Sequence, residues 1–248
     1  MNMPNHVAVF GASSEIAWET CKHFAANGAH LFLCARNESD LQRLSDDLRT
    51  RGAKSIAFCT FDALDKESIE LACNKILTDF PQCDGLYIAH GYMPADEGNK
   101  IDLENYQKTM QINYLSVVQI IRHFVPHFIE KKYGKIAVIS SVAGERGKKR
   151  NAAYSAAKAA LTVFLSGLRQ KVYQSNIWVI TIKPGTIATP MTAHLPQNRV
   201  FTSAEKAGHL IYNTFQKKSE NVYIPRFWRW IMLITRAIPE KIFKRLNL

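Results

Sequence analysis

The stretch HVAVFGASSEIAWE, residues 6–19, decides the fold. A short apolar run, VAVF (7–10), meets Gly11 and then a segment with helical spacing that opens on Glu15. A strand that turns sharply into a helix presents the first backbone N–H groups of that helix, and these suit a phosphate. Loops built for a dinucleotide pyrophosphate carry three glycines. Here Gly11 remains, and Glu15 and Ala17 occupy the other two places. Gly11 serves the tight turn, and Ala17 is the smallest substitute where helix and strand pack closely. A carboxylate at Glu15 suits the helix dipole. If its side chain points outward, the loop amides still face the phosphate.

Outward from this stretch, apolar runs alternate with amphipathic segments. The runs are 7–10, 30–34, 55–61, 85–89, 135–140, 178–182 and 221–224. They are short, bounded by turns and apolar on both faces, as strands of a parallel sheet covered on both sides are. Helices are expected over 14–27, 39–51, 66–80, 103–131, 152–174 and 203–217, with Pro126 expected to kink or divide the longest. The alternation predicts one Rossmann-type, doubly wound α/β domain of about seven parallel strands over residues 1–225. Residues 226–248 form a separate basic, amphipathic tail.

The chain has 248 residues, 47% of them hydrophobic, enough for a sizeable core. Its N-terminus lacks the basic-then-apolar order of a secretory signal, and no apolar run reaches the ~18 residues of a membrane span. Five scattered cysteines without C-x-x-C spacing argue for reduced thiols and the cytoplasm, and no metal site is expected. The formal charge of +11 points to an anionic partner.

In a doubly wound sheet, ligands sit beyond the carboxyl ends of the strands. There, YSAAK (154–158) places Tyr154 and Lys158 on one helix face. A phenol titrating near ~10 is a poor acid until a nearby ammonium favours the phenolate. The pair alone is weak evidence, since Tyr and Lys meet at this spacing on many helices. Ser141 ends the fifth run thirteen residues earlier, and Asn113 lies in the long helix before it. With Arg36, Asp62 and Pro184–Gly185 after other runs, the chain resembles the short-chain dehydrogenase/reductase family along essentially its whole length.

The resemblance implies hydride transfer between a nicotinamide cofactor and a carbonyl or alcohol. Tyr154 would be the general acid, and Ser141 would place the substrate oxygen. Lys158 would hold the nicotinamide ribose and lower the tyrosine pKa. Asn113 would fix a water that relays protons to Lys158. Gly11, Ser13, Ser14, Ile16, Asp62, Ala63, Ala89, His90, Gly91, Pro184, Gly185, Ile187 and Thr189 would line the cofactor. Arg36, with no acid before Glu38, would pair with the 2′-phosphate of NADPH. Asp65 is the natural helix cap beside Asp62. The family's N-N-A-G reads Ile88-Ala89-His90-Gly91, a loss expected to be structural; His90 reads as a satisfied loop histidine.

Two features bear on the substrate. The loop GERGKKRN (144–151) carries Arg146, Lys148, Lys149 and Arg150 against Glu145, and reads as an anion rim or as a solvated basic loop. The tail interleaves six cations and one acid with aromatic and aliphatic residues. It reads as an interfacial membrane anchor or as a helix packed over the cleft or a partner. The combination of SEIA (14–17), FDALD (61–65), SSVAGERGKKRNAAYSAAK (140–158), PGTIATPMTAHL (184–195) and this tail resembles a narrower set, the reductases of decaprenylphosphoryl-ribose 2′-epimerase systems. That implies a lipid-linked 2-keto-pentofuranosyl phosphate as substrate, a flavin-dependent oxidase as partner, and a peripheral place at the inner membrane face. Family habit implies a homo-oligomer through 103–131 and 152–174; no nucleic acid is expected. A generic short-chain ketone or acyl reductase, and a non-catalytic nucleotide-binding scaffold, are the rival readings.

Overall fold

The computed structural model describes residues 3–94, 101–193 and 200–246. Seven strands form one parallel sheet: β1 (His6–Phe10), β2 (His30–Ala35), β3 (Ser55–Thr60), β4 (Gly85–Ile88), β5 (Gly134–Ile139), β6 (Ile177–Pro184) and β9 (Asn221–Ile224). Their order is β3-β2-β1-β4-β5-β6-β9. A second, two-stranded ladder pairs β7 (Ile187–Ala188) with β8 (Thr202–Ser203).

Alternation along each strand splits the core in two. Val7, Val9, Leu31 and Leu33 face α1 (Glu15–Ala26), α2 (Glu38–Thr50) and α7 (Ala204–Phe215). Ala8, Phe10, Phe32 and Cys34 face α3 (Lys66–Asp79), α5 (Ser116–Glu130) and α6 (Ala152–Lys171). Each fully buried Leu or Phe side chain contributes about 1.5–3 kcal/mol. The edge strand β3 is only half covered, and Ala57 on it is exposed.

Pro126 lies inside α5 and does not divide it. The long helix is interrupted earlier, where α4 (Leu103–Met110) passes through a π-turn, Gln111–Leu115, into α5. Such turns insert a residue without ending the helix and recur at functional sites. The tail forms α8 (Trp228–Ala237) and the short α9 (Glu240–Phe243).

Candidate active site

The carboxyl ends of β1, β4, β5 and β6 lie side by side along one edge of the parallel sheet, where a doubly wound fold has its ligand cleft. Gly11 has φ +80, a left-handed conformation suited to glycine, and an added Cβ would lie 2.4 Å from the His90 backbone nitrogen. Its amide and that of Ala12 donate to the Cys34 carbonyl, at 2.8 and 3.0 Å, so the loop is pinned between β2 and β4. Asn37, Asp65, Asp102 and Ser203 cap α2, α3, α4 and α7 with their side chains, whereas Ser14 does not cap α1. Glu15 is exposed at the first position of α1. A turn that only glycine fits, leading to a helix start without a side-chain cap, fits a dinucleotide pyrophosphate.

Arg36 follows β2, exposed, and no carboxylate pairs with it among the described residues. Asp62 accepts from the Leu64 amide at 2.9 Å, and Asp65 caps α3 through the Glu67 amide, also at 2.9 Å. Ala63 and Ala89 are buried beside this edge of the cleft. Ile187 is buried and Thr189 part-buried after β6.

His90 is a strut between elements. One ring nitrogen meets Ser116 Oγ at 2.8 Å, while its buried Nδ1 has no protein partner. Burial, and secondarily the Lys158 charge, push its pKa down to about 3, so the ring is neutral. The expected satisfied histidine is therefore half satisfied. Its bond to Ser116 ties the end of β4 to the start of α5.

The two serines after β5 divide their tasks. Ser140 Oγ bonds the Lys158 carbonyl and Thr162, at 3.1 and 2.7 Å, fastening strand to helix. Ser141 Oγ accepts from the Ala143 amide at 3.0 Å, and its hydroxyl bonds Tyr154. Lys158 Nζ donates to the Ile139 carbonyl at 2.9 Å and lies 5.7 Å from the centre of the Tyr154 ring. Asn113, fully buried in the π-turn, donates from Nδ2 to the carbonyls of Tyr92 and Thr109, at 2.7 and 2.9 Å. Its Oδ1 accepts from the Tyr92 amide at 3.1 Å. A Cβ at Gly91 would lie 3.0 Å from Asn113 Oδ1 and 3.6 Å from Lys158 Nζ, so glycine keeps the space between them open.

One expectation about acidity is reversed. Burial raises the Tyr154 pKa to about 12, and the Ser141 hydrogen bond only partly opposes this. Burial lowers Lys158 to about 7. Desolvation disfavours the phenolate directly, and it also disfavours the ammonium that was expected to favour that phenolate.

The basic rim also changes. Arg146 is turned away from solvent, with its side chain only 13% exposed. It donates to the carbonyls of Thr235, Arg236 and Ile238, at 2.7, 3.2 and 2.6 Å. It also pairs with Glu240 at 3.0 Å and stacks 3.7 Å from the Phe243 ring centre. A guanidinium offers a rigid fork of donors, which here closes the end of α8 instead of meeting an anion. Lys148 is partly buried, and burial lowers its pKa. Lys149 and Arg150 stay exposed.

Glu145, read as a surface counter-charge, is 5% exposed. It pairs with Lys183 at 2.9 Å, accepts from the Tyr223 hydroxyl at 2.5 Å, and lies 3.5 Å from Arg236. Sequence reasoning missed this cluster. The signal within reach was Lys183 itself, a charge inside an apolar strand directly before Pro184–Gly185. Trp228, one of the tail's interleaved aromatics, is buried on Val142 with Met232. Its indole fills the place a Gly185 side chain would take, 1.8 Å from that Cβ position. One face of the described tail thus packs on Val142 and Gly185; Leu248, in the tail, and His194–Leu195, after the sixth strand, lie outside the described residues.

Residues 5–200 match the short chain dehydrogenase family. The chain is 35% identical over 218 residues to dehydrogenase/reductase SDR family member 7B of Mus musculus, covering 86% of this chain and 66% of that protein. It thus spans just under two thirds of that relative. It is 29% identical over 226 residues to a fatty acyl-CoA reductase of Acinetobacter baylyi, covering 89% of this chain and 76% of the relative. Two solved structures share the fold at 19% identity. They are an NAD+-bound xylitol dehydrogenase (TM-score 0.79, 89% and 97% covered) and an actinorhodin polyketide ketoreductase with NADPH (0.78, 89% and 95%). The chain belongs to the short-chain dehydrogenase family.

Proposed function

We propose that this protein is an NADPH-dependent carbonyl reductase whose substrate is a lipid-linked 2-keto-pentofuranosyl phosphate. The observation that carries the reductase reading is the meeting of Tyr154, Ser141 and Lys158 in the cleft. The nicotinamide supplies the hydride when bound. Tyr154, held protonated by its high pKa, gives its proton to the carbonyl oxygen, and Ser141 hydrogen-bonds the same oxygen and orients it. Lys158 holds the ribose and restores the proton to Tyr154. Asn113 Oδ1 and Lys158 Nζ both lie close to Gly91, and a water bonded to each would carry the proton relay. Gly11, the uncapped start of α1 and the backbone at Gly185 suit the rest of the cofactor.

Arg36 supports the phosphorylated cofactor. Arg36→Ala should raise the NADPH Kd by about tenfold or more and leave NADH nearly unchanged, because a charge-assisted bond to the 2′-phosphate is lost. Titration by nicotinamide fluorescence measures this; equal effects on both cofactors would refute the assignment.

The acidities make a pH prediction. Lys158 loses its charge as pH rises through about 7, whereas Tyr154 keeps its proton to about 12. kcat/KM reports groups of the free enzyme. For ketone reduction it should therefore fall as pH rises through about 7. Lys158→Arg should move that limb upward, since a guanidinium stays charged. A rate level from about pH 6 to about pH 9 would overturn it.

The lipid-linked substrate rests on the narrower sequence resemblance, with its phosphate assigned to the basic loop of Lys148, Lys149 and Arg150 between Ser141 and Tyr154, from which Arg146 is withdrawn. Such a ketone arises by oxidation of a 2-hydroxyl, the role of the flavin-dependent oxidase partner. Leu103, Leu115 and Val163, exposed on the two helical segments, offer the oligomer contact. A second reading, an acyl reductase, is favoured by the Acinetobacter relative. NADPH oxidation with a polyprenylphosphoryl 2-keto-pentofuranose, run beside a fatty acyl-CoA, separates them. Turnover of the acyl-CoA alone would favour the second.

A further inference from the structure

Helix α8 has two apolar faces, and the fold uses one. Trp228 and Met232 pack inward on Val142. Trp230, Leu233 and Ile234 remain 64%, 50% and 67% exposed. They stand at i, i+3 and i+4, one continuous outward stripe. Phe227 before it and Ile242 after it are exposed as well. A helix that served only to cover the cleft would need apolar residues on its inner side alone.

Charge surrounds the stripe. Arg226, Arg229 and Arg236 are exposed on or beside α8, and Lys241, Lys244 and Arg245 follow. Glu240 is the one acid in residues 226–246, and Arg146 holds it. Between α8 and the sheet edge lies a cleft of about 490 Å³, lined by Lys183, Tyr223, Arg229, Arg236 and Trp230. Arg229 forms no ion pair among the described residues. Glu145 answers only part of the positive charge of Lys183 and Arg236. The cleft is cationic, and its mouth is flanked by the apolar stripe.

We propose that α8 seats the protein on the surface of an anionic phospholipid bilayer, with Trp230, Leu233 and Ile234 entering the interface and a lipid phosphate lying in the cleft between Lys183, Arg229 and Arg236. A cationic cleft opening beside an aromatic stripe matches a headgroup whose acyl chains continue into an apolar phase. Among the described residues no helix is long and apolar enough to cross a membrane, and the contact proposed for α8 is with the bilayer surface. Arg146 joins the end of α8 to the loop that follows Ser141, which places the catalytic cleft close to that surface. The proposal does not depend on which ketone is reduced.

Vesicle co-sedimentation of the full chain, without cofactor or substrate, tests it. Vesicles of phosphatidylcholine alone are compared with vesicles of equal parts phosphatidylcholine and phosphatidylglycerol. The full chain should sediment with the mixed vesicles and far less with the neutral ones. Arg229→Gln should weaken binding to the mixed vesicles about fivefold, the share of one cation near an anionic surface. Trp230→Glu with Leu233→Glu should weaken it about a hundredfold, through lost apolar burial and added repulsion. Both side chains are exposed, so the thermal melt of the double variant should match that of the unaltered chain. Binding to neither vesicle, or equal binding by the double variant, would overturn the proposal. So would self-association abolished by the double variant without vesicle binding, which would make a second copy the occupant of the stripe.

Discussion

Tyr154→Phe lowers kcat for ketone reduction by about a thousandfold, the range spanned by loss of a general acid. The phenyl ring keeps the packing on α6 and the contact with Lys158, so the fold and the NADPH Kd stay nearly unchanged. Ser141 and Lys158 remain, yet neither can take over. Ser141 is spent on the Ala143 amide and on orienting the oxygen, and Lys158 is tied to the Ile139 carbonyl. Stopped-flow reduction with saturating NADPH measures the chemical step directly. Full turnover by Tyr154→Phe would remove Tyr154 from the mechanism and bring the scaffold reading forward.

Lys183→Met destabilises the protein by about 3 kcal/mol, because it leaves the Glu145 carboxylate buried without its nearest cation. Tyr223 and Arg236 still reach that carboxylate, so the loss falls short of a fully stranded charge. The double variant, Glu145→Gln with Lys183→Met, recovers most of the loss. A buried pair is costly to break and often nearly neutral to replace as a whole. Urea denaturation of the single and double variants gives the coupling. Additive losses would mean that the two side chains act independently. Activity is a second readout, since Glu145 lies four residues beyond Ser141 on the loop that α8 and β9 hold down.

Much of the site was legible because its chemistry repeats at fixed spacing. The i, i+4 relation of Tyr154 and Lys158, the serine at the strand end and the single glycine after β1 are local features. A parallel sheet carries local features to one edge by its topology alone. The strand runs were legible for the same reason, since strands covered on both sides read as unbroken apolar segments. The long helix shows where this ends. Pro126 is the visible breaker, yet the break falls at Gln111–Leu115, which carries no breaker residue. It falls where Asn113 turns inward to bond Tyr92 and Thr109, a contact made between elements.

Arg146, Glu145 and Trp228 illustrate the other half. In the sequence, Arg146 belongs to a run of cations, Glu145 is their counter-charge, and Trp228 belongs to an amphipathic tail. Each assignment follows from neighbours in the chain. In the fold, their partners are Thr235, Lys183 and Gly185, each roughly forty residues or more away. The acidities of Tyr154 and Lys158 moved against expectation for the same reason. A sequence states which charges are near one another, but only packing states how much water they lose.

By itself, then, the sequence determined the alternation of strands and helices, the parallel sheet and the residues gathered at its carboxyl edge. These follow from periodicity and spacing, which are properties of adjacent residues. Tertiary structure alone decided that Arg146 clasps the tail, that Glu145 and Lys183 are buried together, and that one face of α8 is covered while the other is bare. Those outcomes depend on which distant surfaces meet and exclude water, and no local pattern encodes that.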